Sequence, residues 1–188
     1  MNAVFRKEMD VDTLRRVIRY SAQSGKIRRA EDVRGGKRSA GVIVAKKGDE
    51  AGTVNAFGYV VLKINGMAFP AHRIAWAYTF GEWPDHEIDH VNGDKADNRM
   101  DNLRLAARSE NCQNAAIRSD NTSGYKGVTF RKSSGKWIAQ IAINGKRLHL
   151  GCFPSAEDAA HAYDAAARQY HGKFCCVNFP SRNERPSQ

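Results

Sequence analysis

Six consecutive residues of turn chemistry, Ser119, Asp120, Asn121, Thr122, Ser123 and Gly124, separate two stretches that each carry their own apolar patterning. Short polar side chains bond to their own backbone and glycine turns freely, so such a run favours a connection over an element. A chain of 188 residues divided there is expected to fold as two small modules with modest cores, not as one continuous interior.

Charge follows a related division. Residues 1–60 carry 13 Lys and Arg against 7 Asp and Glu, residues 61–123 carry 7 against 9, and residues 124–180 carry 8 against 3, within a net charge of +10. Basic flanks around an acidic middle suit a polyanion gripped on both sides of a site that keeps carboxylates for a cation. Cys112, Cys152, Cys175 and Cys176 form no C-x-x-C pair; they are expected to be reduced, with neither a zinc knuckle nor a disulfide framework. No apolar window approaches a membrane span, and the chain is expected to act in the cytoplasm.

Between residues 11 and 20, Val11, Leu14, Val17 and Ile18 recur at helical spacing beside Arg15, Arg16 and Arg19. Residues 34–51 are rich in Gly, Lys and Arg and predict a basic loop able to track phosphates. Residues 57–64 and 67–71 are β-rich runs joined by Asn65 and Gly66, the pair suited to a two-residue hairpin. A helix follows from His72 and closes before Gly81 and Pro84. Short strands are predicted around residues 87–91 and 103–105, and then a helix from a Ser109 cap to about Ile117.

Asp89 and His90 stand at the first of those strands, and Asn98, Asn102, Asn111 and Asn114 come after them. A carboxylate and an amide oxygen can hold one hard cation, while a histidine that titrates near neutrality can deprotonate water. The ordered motifs Asp89-His90, Asn98 to Leu103 and Glu110 to Asn114, with His72 and Arg73 upstream, resemble the HNH endonucleases of phage and intron-associated homing enzymes. The resemblance covers residues 57–118 and implies a ββα-metal fold. It implies that His90 is the general base, that Asn102 fixes its imidazole, and that Asp89 and Asn111 are metal ligands. With Asn111 where the family name has histidine, both protein ligands are oxygens, which favours Mg²⁺, then Mn²⁺, over Zn²⁺. Asp89 and His90 are strand neighbours that would face opposite sides, so the site demands a twisted or ending strand there.

Beyond residue 124, residues 125–131, 136–143 and 147–152 read as three strands with turns at Ser134-Gly135 and Asn144-Gly145. Ser155 and Asp158 open a last helix to about His171, with Ala159, Ala160, Tyr163, Ala166, Ala167 and Tyr170 as a small and aromatic stripe. Alternation puts Val128, Phe130, Trp137, Ala139, Ile141, Leu148 and Leu150 toward the helix. Arg131, Lys136, Gln140, Arg147 and His149 then project on the other face, with Lys126 nearby, as donors for phosphates and bases. Tyr125 to Val128, Gly135 to Trp137, Leu150 to Phe153, Ala156 to Ala159, Ala162 to Ala166 and Val177 to Pro180 resemble the apetala-type, or ethylene-response-factor, DNA-binding domain. In that family the sheet enters the major groove. Thr129, Ala142 and His149 occupy positions that contact bases in the plant members, so a plant target does not transfer.

The expected class is therefore α+β, a ββα-metal HNH nuclease core followed by a three-stranded antiparallel sheet packed on one helix. The expected domains are a basic N-terminal extension (1–56), the nuclease (57–118), a linker (119–124), the apetala-type domain (125–180) and a tail (181–188). The expected function is metal-dependent cleavage of double-stranded DNA, as a monomer that nicks, or a dimer for a double-strand break. The rival expectation is a transcription regulator that keeps an inactive HNH fold as scaffold.

Overall fold

The computed structural model describes residues 8–35, 42–181 and 184–186. Part of the expected basic loop, residues 36–41, lies outside the described residues. The fold is α+β, and its contacts separate two units: one runs to His90 and takes in Asp94–Leu105, the other comprises Val91–Gly93 and Ala106–Gln188.

In the first unit, α1 (Val11–Val17) begins where the Asp10 carboxylate accepts the Thr13 N–H at 2.9 Å. The chain passes directly into β1 (Ile18–Tyr20), paired antiparallel with β2 (Ile27–Arg29). A second short pair, β3 (Val33–Arg34) and β4 (Ile43–Ala45), follows. Next come β5 (Thr53–Val54), β6 (Val60–Ile64) and β7 (Met67–Pro70), an antiparallel sheet in that order. Asn65 and Gly66 have φ of 49° and 79°, the left-handed pair that a two-residue hairpin requires.

Helix α2 (Ala71–Phe80) stops at Gly81, whose φ of 83° and N–H bond to the Ala77 carbonyl end it. Its buried face, Ala71, Ile74 and Ala77, joins Leu62, Ile64 and Phe69 and, from the segment expected as an extension, Met9, Leu14, Ile18, Ile27 and Ala51 in one apolar cluster. The described N-terminal residues therefore build the core on which the site rests. Strands of two or three residues, of which β1 and β2 bury one side chain each, leave no period to read, which is why composition alone showed only their charge.

The strands β8 (Glu87–His90) and β9 (Leu103–Ala106) pair in a two-stranded sheet. Between them, a 3-10 helix at Met100–Asn102 ends the intervening loop. Helix α3 (Arg108–Gln113) is shorter than expected and starts earlier, because Glu110 Oε2 reaches back to accept the Ala107 N–H at 2.7 Å.

The second unit is a meander of β10 (Val128–Arg131), β11 (Lys136–Ile143) and β12 (Lys146–Phe153), backed by α4 (Ala156–His171). Ser155 Oγ caps α4 by accepting the Asp158 N–H at 3.0 Å. The alanines 159, 160 and 167 are fully buried, and their small size lets the helix lie close to the sheet. At Gly127, with φ of 75°, an added Cβ would run into the Tyr163 ring and sit 2.8 Å from the Gln140 carbonyl oxygen, so only glycine fits. Fully buried Asp164 accepts the N–H groups of Asn178 (2.8 Å) and Phe179 (2.7 Å), tying the chain after α4 to it. All four cysteines are free. No helix among the described residues is long and apolar enough to cross a membrane.

Candidate active site and nucleic-acid interface

Asp89 and His90 are buried, and β8 ends at His90. The Asp89 carboxylate is held from β9: Arg104 donates from Nε at 2.8 Å and from Nη2 at 2.6 Å, both to Oδ2. His90 lies in a cluster of three rings. Its ring is 5.2 Å from that of His72 on α2, edge to face, and 6.0 Å from that of Tyr59. Burial lowers the pKa of His90 below its ordinary value, against the opposing pull of Asn98 and of Asp89, Asp94 and Asp97. It lowers that of His72 much further, to about 3, with His90 and Arg73 adding to the shift. Both imidazoles are therefore neutral at pH 7. His72 Nδ1 is buried and finds no hydrogen-bond partner among the described residues.

The side chain facing His90 Nε2 is Asn98, whose Oδ1 stands 3.5 Å away, at the long limit of a hydrogen bond. Asn98 Nδ2 donates to the Ala96 carbonyl at 2.9 Å, which fixes the amide oxygen toward the ring. An amide oxygen only accepts, so this contact favours the tautomer with its proton on Nε2. The family resemblance places the orienting amide at Asn102. Asn102 is buried too, and its Nδ2 donates to the Asp97 carbonyl at 2.8 Å, within the loop itself.

That loop is braced by the N-terminal segment. Tyr20 donates its hydroxyl to the Asn98 carbonyl at 2.8 Å, and the Met100 N–H reaches the Ala22 carbonyl at 2.9 Å. Gly25, with φ of 70°, lies so close that an added Cβ would be 2.7 Å from the Asn98 carbonyl carbon. Burial, with Asp101 and Asp97 behind it, raises the Tyr20 pKa to about 12, so the hydroxyl stays a donor. Nothing in the spacing of Tyr20 or Gly25 signals this role; it depends on residues some 75 positions away folding back.

Asn111 is carried by α3, in the second unit. In the same unit the sheet register sets Arg131 opposite Lys136, Gln140 opposite His149 and Ala142 opposite Arg147. A bulge at Ala139 and Gln140 gives β12 one extra residue there. Arg131, Lys136, Arg147 and His149 are exposed and Gln140 is half-buried. Lys126 is placed elsewhere than expected. Its ammonium donates to the carbonyls of Gln113 (2.8 Å) and Ala115 (2.6 Å), at the end of α3, instead of joining the exposed face. Carbonyls left unpaired at a helix end attract a cation, and this one is within reach.

Comparison with known proteins finds two families along the chain. An HNH endonuclease family model matches residues 69–113, and an AP2 domain model matches residues 123–173. Protein 3.8 of Escherichia phage T7 is 33% identical over 104 residues, 55% of this chain and 85% of that protein. The chain belongs to the HNH endonuclease family. Behind the nuclease domain it carries an AP2 domain. The AP2/ERF and B3 domain-containing protein Os01g0141000 of Oryza sativa subsp. japonica is 46% identical over 66 residues, 35% of this chain and 18% of that protein. The chain thus spans under a fifth of that plant relative's length. Among solved structures, one of DNA binding and cleavage by the HNH homing endonuclease I-HmuI aligns over 87% of this chain and 90% of its own, with 19% identity and a TM-score of 0.39.

The HNH match ends at residue 113, yet α3 groups by contact with the AP2 domain. The matched span thus contributes residues to both units. The buried Asp89 carboxylate is an oxygen donor of the kind a hard divalent cation takes. Among the described residues no three histidine, cysteine or acidic side chains gather into a softer or more anionic cage. Asp89 is already paired with Arg104, so a cation there would share or replace that guanidinium.

Proposed function

We propose that this protein is a metal-dependent DNA endonuclease of the homing type, acting inside the host cell and nicking at or near a site selected by its AP2 domain. The observation that carries the reading is the buried, neutral His90 with Asn98 at Nε2, one residue from a buried carboxylate. His90 takes a proton from the attacking water, which opens the phosphodiester to leave a 5′-phosphate and a 3′-hydroxyl. Asp89 and Asn111 are assigned to one divalent cation, Mg²⁺ before Mn²⁺. When bound, it supplies positive charge to the phosphate and the leaving oxygen. Asn102 holds the loop that presents Asn98. Arg131, Lys136, Gln140, Arg147 and His149 are assigned to the DNA face of the AP2 domain, and Lys126 to a different duty. The domain limits 57–118 and 125–180, the monomeric state and a single nick per site belong to the same proposal.

One observation favours the rival, a DNA-binding regulator with an inactive nuclease fold: Asp89 is already neutralised by Arg104. Relaxation of supercoiled plasmid decides between them. Wild type should nick with Mg²⁺, and His90→Ala and Asp89→Asn should not. Tight DNA binding with no relaxation in Mg²⁺ or Mn²⁺ would establish the regulator.

A further inference from the structure

A continuous line of hydrogen bonds runs from the interior of the AP2 domain to the helix that closes the nuclease motif. Asp164 on α4 is fully buried, and its Oδ1 holds Asn178 through the backbone N–H at 2.8 Å and Nδ2 at 3.0 Å. Asn178 in turn clamps the backbone of Lys126 on both sides, accepting its N–H at 2.7 Å and donating to its carbonyl at 3.2 Å. From this fixed backbone the Lys126 ammonium spans to the Gln113 and Ala115 carbonyls at the end of α3. The other side of α3 lies against the 3-10 helix Gly172–Phe174 that follows α4.

A helix of six residues has little stability of its own and takes its position from what it packs on. Here every anchor just described is AP2 structure. Lys126 stands at the start of the sheet expected to read DNA, yet its charge is spent on α3.

We propose that Lys126 is a positioning residue for cleavage: through α3 it sets Asn111, so its loss lowers nicking without lowering DNA affinity. This rests on the assignment of Asn111 to the nuclease site. It implies that residues 119–188 cannot be removed without loss of nicking, even on DNA bound by other means. A charge-assisted bond of this type, when lost, changes a local equilibrium by about tenfold or more.

The test uses the full chain with Lys126→Met, which keeps the aliphatic stem and loses the donors, and Lys126→Arg, which keeps donors and charge. Four quantities are read: affinity for a short duplex, plasmid nicking, Mn²⁺ binding by electron paramagnetic resonance, and amide hydrogen exchange in α3. In K126M, DNA affinity is expected to stay near wild type while nicking falls about tenfold, Mn²⁺ binds more weakly and α3 exchanges about tenfold faster. K126R should recover much of each. Wild-type nicking with unchanged α3 exchange in K126M overturns the proposal. So does a loss of affinity in step with nicking while α3 exchange is unchanged, which would make Lys126 a phosphate contact. If K126M does not fold, Lys126→Gln carries the same comparison. If wild type never nicks, the endonuclease reading fails by itself, and α3 exchange with Mn²⁺ binding still decides whether Lys126 anchors the helix.

Discussion

Arg104 directs two donors, Nε at 2.8 Å and Nη2 at 2.6 Å, onto a single oxygen of Asp89. The side chains are 17% and 5% exposed, so removal of the guanidinium strands a buried carboxylate. Arg104→Ala should cost about 3 kcal/mol in urea unfolding, and Asp89→Asn in that background should return part of it. If Asp89 takes a cation, Mg²⁺ should raise the melting temperature of Arg104→Ala more than that of wild type. A cost below about 1 kcal/mol would put the pair among ordinary surface ion pairs.

Asn98 holds its amide oxygen toward His90 Nε2, whereas the Asn102 amide is turned to the Asp97 carbonyl. Asn98→Ala is expected to lower kcat for nicking by about tenfold or more with KM little changed, the usual cost of freeing a ligand-orienting or base-orienting partner. Asn102→Ala should show first as lost stability of the loop. Full activity in Asn98→Ala would return the orienting role to Asn102.

His72 gives the protein a sensitivity to acid. Its folded pKa of about 3 lies below the unfolded value of 6.5, because burial disfavours the charged ring. As pH falls below 6.5, the unfolded chain takes a proton that the folded one refuses. Stability is therefore full above 6.5 and is lost progressively toward 3. One such group contributes a slope approaching about 1.4 kcal/mol per pH unit. His72→Phe should flatten stability against pH between 6.5 and 5, a range above the ordinary carboxylate titrations. An unchanged slope would mean that His72 is hydrated in solution.

On the AP2 face, Arg147 stands opposite Ala142 and is exposed. If it meets a phosphate, Arg147→Ala should weaken binding on all sequences and reduce the slope of log affinity against log salt by about one. Selective loss on one target sequence, with the slope intact, would make it a base contact instead.

Individual turns and caps were legible in sequence for a local reason. Turn chemistry at residues 119–124, Asn-Gly pairs at 65–66 and 144–145, and the Ser155 cap each act over two to four residues, and the structure has φ of 49° at Asn65, 50° at Asn144 and a capping bond at Ser155. The AP2 meander followed from alternation only in part: Phe130 and Leu148, expected toward the helix, are exposed, and Ile138 is buried beside Ala139, next to the bulge. The N-terminal segment was not legible. Its buried residues are scattered single positions, Leu14 on α1 and Ile18 and Ile27 on short strands, and their partners are the hairpin and α2, far along the chain.

The candidate site divides along the same line. Residue type and the order of the asparagines that follow marked Asp89 and His90, and that pattern needs no long-range contact to be noticed. Only the tertiary structure decided what each touches: Arg104 against Asp89, Asn98 and His72 about His90, Tyr20 under the loop, and Lys126 on α3. The order of residues thus determined the modules and the chemical groups. Which amide faces the histidine, and where a lysine spends its charge, were set by packing, since burial and hydrogen bonding act between neighbours in space whatever their distance in sequence.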